Sequence, residues 1–288
     1  MRAAQVAIAL TALALTSFAA NSLLCRLALA GREIDPLSFT VVRLVCGAAL
    51  LAVVAASTKR PQFQKQGSWI SGLMLFAYAM AFSLAYLGLT AATGALILFG
   101  TVQATMIAGA LLNRQKVGTI QWIGIILATT GLVYLTLPGL NAPPLTSAIW
   151  MFVAGVSWGI YSLHGRGSKD PIADTAANFL RSLPFAIPLL VLILLNRHFT
   201  PLGLGLAVLS GAITSGLGYV AWYSALPYLG SARAATVQLL VPILAAAGGI
   251  ALLGETMSLR LALAGGLTLG GVALATAFTT KKHVPELS

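Results

Sequence analysis

Ten apolar stretches, each long enough to cross a bilayer, occupy nearly all of this chain. They lie near residues 4–30, 36–57, 68–89, 91–113, 118–137, 146–165, 172–195, 203–225, 231–253 and 258–279. A hydrocarbon core about 30 Å thick needs about 20 apolar residues of helix to span it. The runs are continuous and do not alternate, so helices are implied rather than a barrel. Only 8% of the residues are charged, where a soluble domain carries about 25%. The expectation is an all-α membrane protein with connections too short to hold a soluble domain. The first run could be a signal peptide cut after Ala28-Leu29-Ala30. It is too long for such a segment, however, and Arg26 interrupts it just before the cut, so it is read as the first span.

The net charge of +11 is explained by position. With the N-terminus in the cytoplasm, that side collects Arg2, Lys59, Arg60, Lys65, Arg114, Lys116, Arg166, Lys169, Arg233, Lys281 and Lys282. The opposite side holds Arg26, Arg32, Arg197 and Arg260, and Arg43 and Arg181 fall inside spans. This bias predicts both termini in the cytoplasm. Anionic membrane lipid is a natural partner for the basic face. No extended basic surface suited to nucleic acid exists. Cys25 and Cys46 both lie within spans and give neither a disulfide framework nor a zinc pattern.

The last five stretches read as a second copy of the first five, which divides the chain into 1–140 and 141–288. Asp35-Pro36 opens the second span and Asp170-Pro171 the seventh. In each, Asp can cap the helix while Pro takes the first turn, where a missing N–H costs nothing. Phe18-Ala19-Ala20-Asn21 aligns with Trp158-Gly159-Ile160-Tyr161, and Leu112-Asn113-Arg114 with Leu253-Gly254-Glu255. An odd number of spans per copy sets the second copy upside down. Inverted copies packed face to face commonly enclose a midplane site reached from either side in turn.

The Asp-Pro helix start followed by Arg43, the Leu-Gly-Glu turn after the ninth span and the doubled ten-span order resemble the drug/metabolite transporter superfamily, EamA type. Within that group the chain looks most like bacterial inner-membrane exporters of aromatic amino acids. The resemblance implies a multi-pass protein of the bacterial inner membrane. The family pattern has Gly-Glu at both turns and Pro in the fourth helix of both copies. Here Asn113-Arg114 stands at the first turn, and Thr101 stands where the second copy has Pro242. Less kinking is therefore expected in the first copy.

A polar side chain at membrane depth faces protein or a water-filled cavity. Candidate substrate-binding residues are Asn21, Tyr78, Ser83, Gln103, Trp158, Tyr161, Asn178, Tyr219, Trp222 and Gln238. The amides among them can equally bond neighbouring helices, worth about 1 kcal/mol each. Trp69, Trp122 and Trp150 lie at span starts and read as interfacial belt residues. Arg43 has two readings, a structural bond to backbone carbonyls of a neighbouring helix end or a contact to a substrate carboxylate. Asn178 takes its place in the second copy. Arg43, Arg181, Pro184 and Pro242 are expected to be structural or gating. The glycine pairs Gly155/Gly159 and Gly266/Gly270 let helices approach closely; the second could serve packing within the monomer or a weak homodimer.

Absences narrow the chemistry. Glu33, Asp35, Asp170, Asp174, Glu255 and Glu286 all fall at ends or loops, so no acid sits at mid-membrane to neutralise a cationic drug or carry protons. No Gly-rich phosphate loop points to ATP or another cofactor. No metal cluster or hydrolytic triad occurs at depth. What remains is a pocket of rings with a few amides, which suits a neutral or zwitterionic solute with an apolar body. The expected function is facilitative export of amino acids by alternating access, aromatic or other hydrophobic ones, with threonine as a further candidate. The alternatives are polyspecific efflux of neutral drugs or small metabolites, and a membrane-embedded enzyme.

Overall fold

A computed structural model describes residues 2–58, 60, 63–112, 118–139, 142–165, 168–196 and 198–277. Among them, nine helices are long and apolar enough to cross a membrane. They are α1 (Gln5–Ala30), α2 (Pro36–Ser57), α4 (Ala91–Gly109), α5 (Thr119–Thr136), α6 (Leu145–Gly165), α7 (Pro171–Leu194), α8 (Pro201–Leu229), α9 (Thr236–Leu253) and α10 (Leu259–Thr276). The third stretch forms a shorter apolar helix, α3 (Trp69–Ala85). It stops before the expected residue 89 because Leu87 and Gly88 donate back only three residues, to Leu84 and Ala85, the tightened closure common at helix ends. Between α8 and α9 the backbone stays helical through Gly218–Gln238.

Packing partners obey an exchange rule. Helix α3 packs on α6 as α8 packs on α1, α4 on α6 as α9 on α1, and α3 on α7 as α8 on α2. The pairs α2–α7, α4–α9 and α5–α10 map onto themselves. Replacing each helix by the one five places later carries these larger contacts onto one another, as expected of two copies about a twofold axis. The fold is thus two five-helix repeats, the second inverted by its odd number of crossings. The expected boundary at residues 140 and 141 lies outside the described residues. So do Asn113, Arg114, Lys59, Lys116, Arg166, Arg197, Lys281 and Lys282.

The two Asp-Pro starts do matching work. Asp35 Oδ1 accepts from the N–H groups of Leu37 (3.0 Å) and Ser38 (2.9 Å), and Asp170 Oδ1 from that of Ala173 (3.2 Å). The second oxygen of each ties down the other repeat. Asp35 Oδ2 accepts from His198 N (3.3 Å), and Asp170 Oδ2 pairs with Arg60 (2.6 Å). The Asp35 end is further clasped by Thr200 N donating to Glu33 O (2.7 Å), beside the isolated bridge between Ile34 and Phe199. There too, Glu255 pairs with Arg26 (3.1 Å) and accepts from Ala91 N (2.9 Å) at the start of α4. At the Asp170 end, Asp174 and Asn178 accept from Gly67 N and Ser68 N (both 2.9 Å). Both ends of the repeat interface are therefore held shut.

Glycines set the closest helix approaches. A Cβ on Gly155 or Gly159 would run into Thr101 or Thr105 of α4, as expected for that pair. The expectation for Gly266 and Gly270 is corrected for the monomer, since an added Cβ at either meets nothing within 4 Å among the described residues. The α5–α10 contact is made one residue later, where Gly271 meets the backbone of Gly124 and Ala128. Helix α4 runs unbroken through Thr101. The second copy breaks at Leu239, three residues before Pro242, whose ring removes the N–H that would bond Gln238. Pro184 and Pro188 lie inside α7.

Candidate substrate site

The rings at membrane depth converge where the repeats meet. Trp158 of α6, only 4% exposed, is the hub. It stacks on Tyr161 (centroids 5.1 Å apart) and meets Tyr219 (4.7 Å), Tyr78 (5.0 Å) and Phe18 (6.3 Å). Phe18 also reaches Trp222 and Tyr219 (both 5.9 Å) and Phe99 (6.5 Å). Offset and edge-on pairs such as these contribute about 0.5–1.5 kcal/mol each beyond burial.

The rings enclose a cavity of about 10 Å³ lined by Phe18, Asn21, Tyr78, Phe82, Leu98, Phe99, Trp158 and Tyr219. That is room for about one water and not for a metabolite. With both ends clasped, this is a closed conformation. A shallow recess at the Asp170 end is lined by Tyr161, Asn178, Asp174 and Tyr223 among others. It is separated from the cavity by the Trp158–Tyr161 stack, whose two members line one void each.

The expected polar residues divide into three groups. Asn21 lines the cavity, its Oδ1 accepting from Ser210 (2.6 Å) and Thr214 (3.0 Å) of α8. Tyr78 and Tyr219 line it too, and both hydroxyls accept from Arg43 Nη2, at 3.1 and 3.5 Å. The second group braces helices away from the cavity. Ser83 accepts from Thr40 (2.9 Å) between α3 and α2, and the Gln103 and Gln238 amides meet at 3.5 Å between α4 and α9. The third group sits at the Asp170 end. Asn178 is engaged with Ser68 N, and Arg181 holds the carbonyls of Gln64 (2.8 Å) and Gln66. Trp222 joins the ring cluster through Phe18.

Arg43, 1% exposed, bonds no backbone carbonyl among the described residues. Its Nε donates to Ser215 Oγ (3.0 Å), and its guanidinium lies 5.0 Å from the ring centres of Tyr78 and Phe82. Ser215 is delivered by a π-helical segment, Ser210–Leu217, inside α8. Such wide turns recur at functional sites. Gly211 in that segment lets α8 press against the Arg43 backbone.

Four lining residues escaped the sequence reading as site members: Phe18, Phe82, Leu98 and Phe99. One signal was available for Phe18, which lies three residues before Asn21 and so shares its helix face. Phe82 and Phe99 carried none, because lipid accepts Phe as readily as a protein interior does.

Comparison with known proteins agrees with this architecture. Two stretches, residues 5–137 and 145–277, match the EamA-like transporter family. An uncharacterized protein of Pseudomonas aeruginosa is 49% identical over 92% of both chains. An uncharacterized Bacillus subtilis transporter, YwfM, is 26% identical over 90% of both. The threonine/homoserine exporter RhtA of Salmonella typhimurium is 31% identical over 53% of this chain and 52% of its own. A solved crystal structure superposes with a TM-score of 0.62 at 19% identity, covering 92% of this chain and 98% of that one, which supports the fold. The chain belongs to the EamA-like transporter family and is a multi-pass membrane transporter for a small molecule, not an enzyme.

Proposed function

We propose that this EamA-family transporter exports amino acids, aromatic or other hydrophobic ones and threonine, across the bacterial inner membrane by alternating access. The observation that carries the reading is the closed cavity between the inverted repeats, walled by Phe18, Tyr78, Phe82, Phe99, Trp158 and Tyr219 with Asn21 as its amide. Rings give stacking area to an apolar side chain, and hydroxyls and the amide meet the polar end. The name of the Salmonella relative, an exporter of threonine and homoserine, points to the same cargo class. Helices α3, α4, α8 and α9 swing to part the rings, with the π segment of α8 and the break before Pro242 as soft points. Both termini lie in the cytoplasm, by the cationic bias of the loops. The protein works as a monomer or weak homodimer with the repeats near 1–140 and 141–288. Transport is facilitative, because no acid among the described residues reaches the cavity.

The test is counterflow in vesicles holding the purified protein, screened over twenty amino acids. Preloaded phenylalanine, tryptophan or threonine is expected to drive transient accumulation of its labelled form, with no uphill uptake under an imposed pH gradient. Polyspecific efflux of neutral compounds is the competing reading. It would be favoured if neutral drugs exchanged and no amino acid did.

A further inference from the structure

Arg43 is a buried cation with no carboxylate paired to it among the described residues. The acids among the described residues are all engaged elsewhere: Glu33 with Thr200, Asp35 at the start of α2, Asp170 with Arg60, Asp174 with Gly67 N and Glu255 with Arg26. One nitrogen of its guanidinium, Nη1, is buried with no hydrogen-bond partner among the described residues. An uncompensated buried charge is strongly unfavourable, and three hydroxyls and two ring faces compensate it only in part. Two of those hydroxyls, Tyr78 and Tyr219, and the Phe82 ring also wall the cavity. The charge thus stands directly behind the wall of the closed site, with donor capacity unspent.

We propose that Arg43 is the anchor for a carboxylate on the transported molecule, completing an ion pair that forms only when cargo enters. The inference rests on the amino-acid reading above and deepens it. A guanidinium offers a planar fork matched to carboxylate or phosphate. A phosphate dianion calls for more than one cation, and the other in-span arginine, Arg181, is committed to the carbonyls of Gln64 and Gln66 at the Asp170 end. A single carboxylate balances the single charge. A phenol that accepts from a guanidinium keeps its own proton to donate, so Tyr78 and Tyr219 can turn their O–H groups to the same carboxylate. Specificity then comes from charge as well as shape. An acid with an apolar body satisfies the site, whereas its amide or amine leaves Arg43 unpaired.

The experiment compares phenylalanine, 3-phenylpropionate, phenylalaninamide and phenethylamine as competitors of labelled phenylalanine in counterflow, with wild type, Arg43→Gln and Arg43→Lys. For wild type, 3-phenylpropionate should compete nearly as well as phenylalanine. The amide and amine should compete at least about tenfold more weakly, the scale of one lost charge-assisted hydrogen bond in a buried site. Arg43→Gln should lose phenylalanine flux by a similar factor and no longer rank acid above amide, while Arg43→Lys keeps the ranking at reduced flux. Equal competition by acid and amide in wild type would overturn the proposal. So would an Arg43→Gln protein, folded at wild-type yield, that retains the acid preference. If that variant does not fold, the wild-type competition series decides alone. Should wild type move no amino acid, the amino-acid reading fails separately. Thermal-shift titration of purified wild type with 3-phenylpropionate and with the amide then judges Arg43: stabilisation by the acid alone supports it, and an equal response to both refutes it.

Discussion

Replacing Trp158 by Ala is expected to lower phenylalanine counterflow at least about tenfold, equivalent to about 1.4 kcal/mol, while folded protein is still recovered. Trp158 contacts Phe18, Tyr78, Tyr161 and Tyr219 at centroid separations of 4.7–6.3 Å. A cargo ring that displaces any of these partners must re-form its contact with the indole, and each such pair contributes about 0.5–1.5 kcal/mol. In a soluble core, Trp→Ala costs about 3–5 kcal/mol. Much of that figure reflects removal of apolar surface from water. In a bilayer the separated helices remain in an apolar solvent, so mainly the packing part is lost. Function should therefore suffer more than folding. Trp158→Phe, which keeps a ring, should restore most of the flux. Fluorescence-detected size exclusion and initial counterflow rates on the same preparations check both halves. Normal flux in the alanine variant would remove Trp158 from the site.

Gly211→Val is expected to act on folding instead, with a loss of about 1–3 kcal/mol or more and a fall of several degrees in Tm in detergent. A Cβ at Gly211 would collide with the carbonyl oxygen, carbonyl carbon and Cα of Arg43. These are backbone atoms, so no side-chain rotation relieves the clash. The helices α2 and α8 would have to separate, which pulls Ser215 off the Arg43 guanidinium, now 3.0 Å away. Gly205 supplies the control on the same helix, because an added Cβ there meets nothing within 4 Å among the described residues. Gly205→Val should leave Tm unchanged. Equal Tm values for the two variants would contradict the close α2–α8 approach that brings Arg43 to the cavity wall.

Much of this molecule is legible in its sequence because the relevant physics is local. A cap needs only an Asp and the N–H groups two and three residues on, so Asp35-Pro36 and Asp170-Pro171 disclose two helix starts and, by their pairing, the repeat. Rings at mid-span mark Tyr78 and Trp158 as candidates, since the membrane interface cannot explain them there, and both line the cavity. Partner identity is another matter. Lipid obliges Ser83, Gln103, Asn178 and Gln238 to face protein, but it does not say which protein group. The structure gives Ser83 to Thr40, the two glutamines to each other and Asn178 to Ser68 N. The phenylalanines of the wall are invisible for the opposite reason, being at home in either medium. Ser215 depends on the π segment, a change of helical register with no sequence signature. Gly271 rather than Gly266 or Gly270 meets α5 because one residue turns the contact face by about 100°, and composition alone cannot set that phase.

The central claim is that the packed rings are the closed form of a site opened to each side in turn. Leu98, 3% exposed and part of the cavity wall, is placed to report it. A Leu98→Cys protein with Cys25 and Cys46 replaced by Ala, reconstituted in one orientation, is treated with a membrane-impermeant thiol reagent from either side. Modification should proceed slowly from both sides and be retarded by saturating phenylalanine. Modification from neither side, or from one side alone whatever the cargo concentration, would contradict alternating access through this cavity.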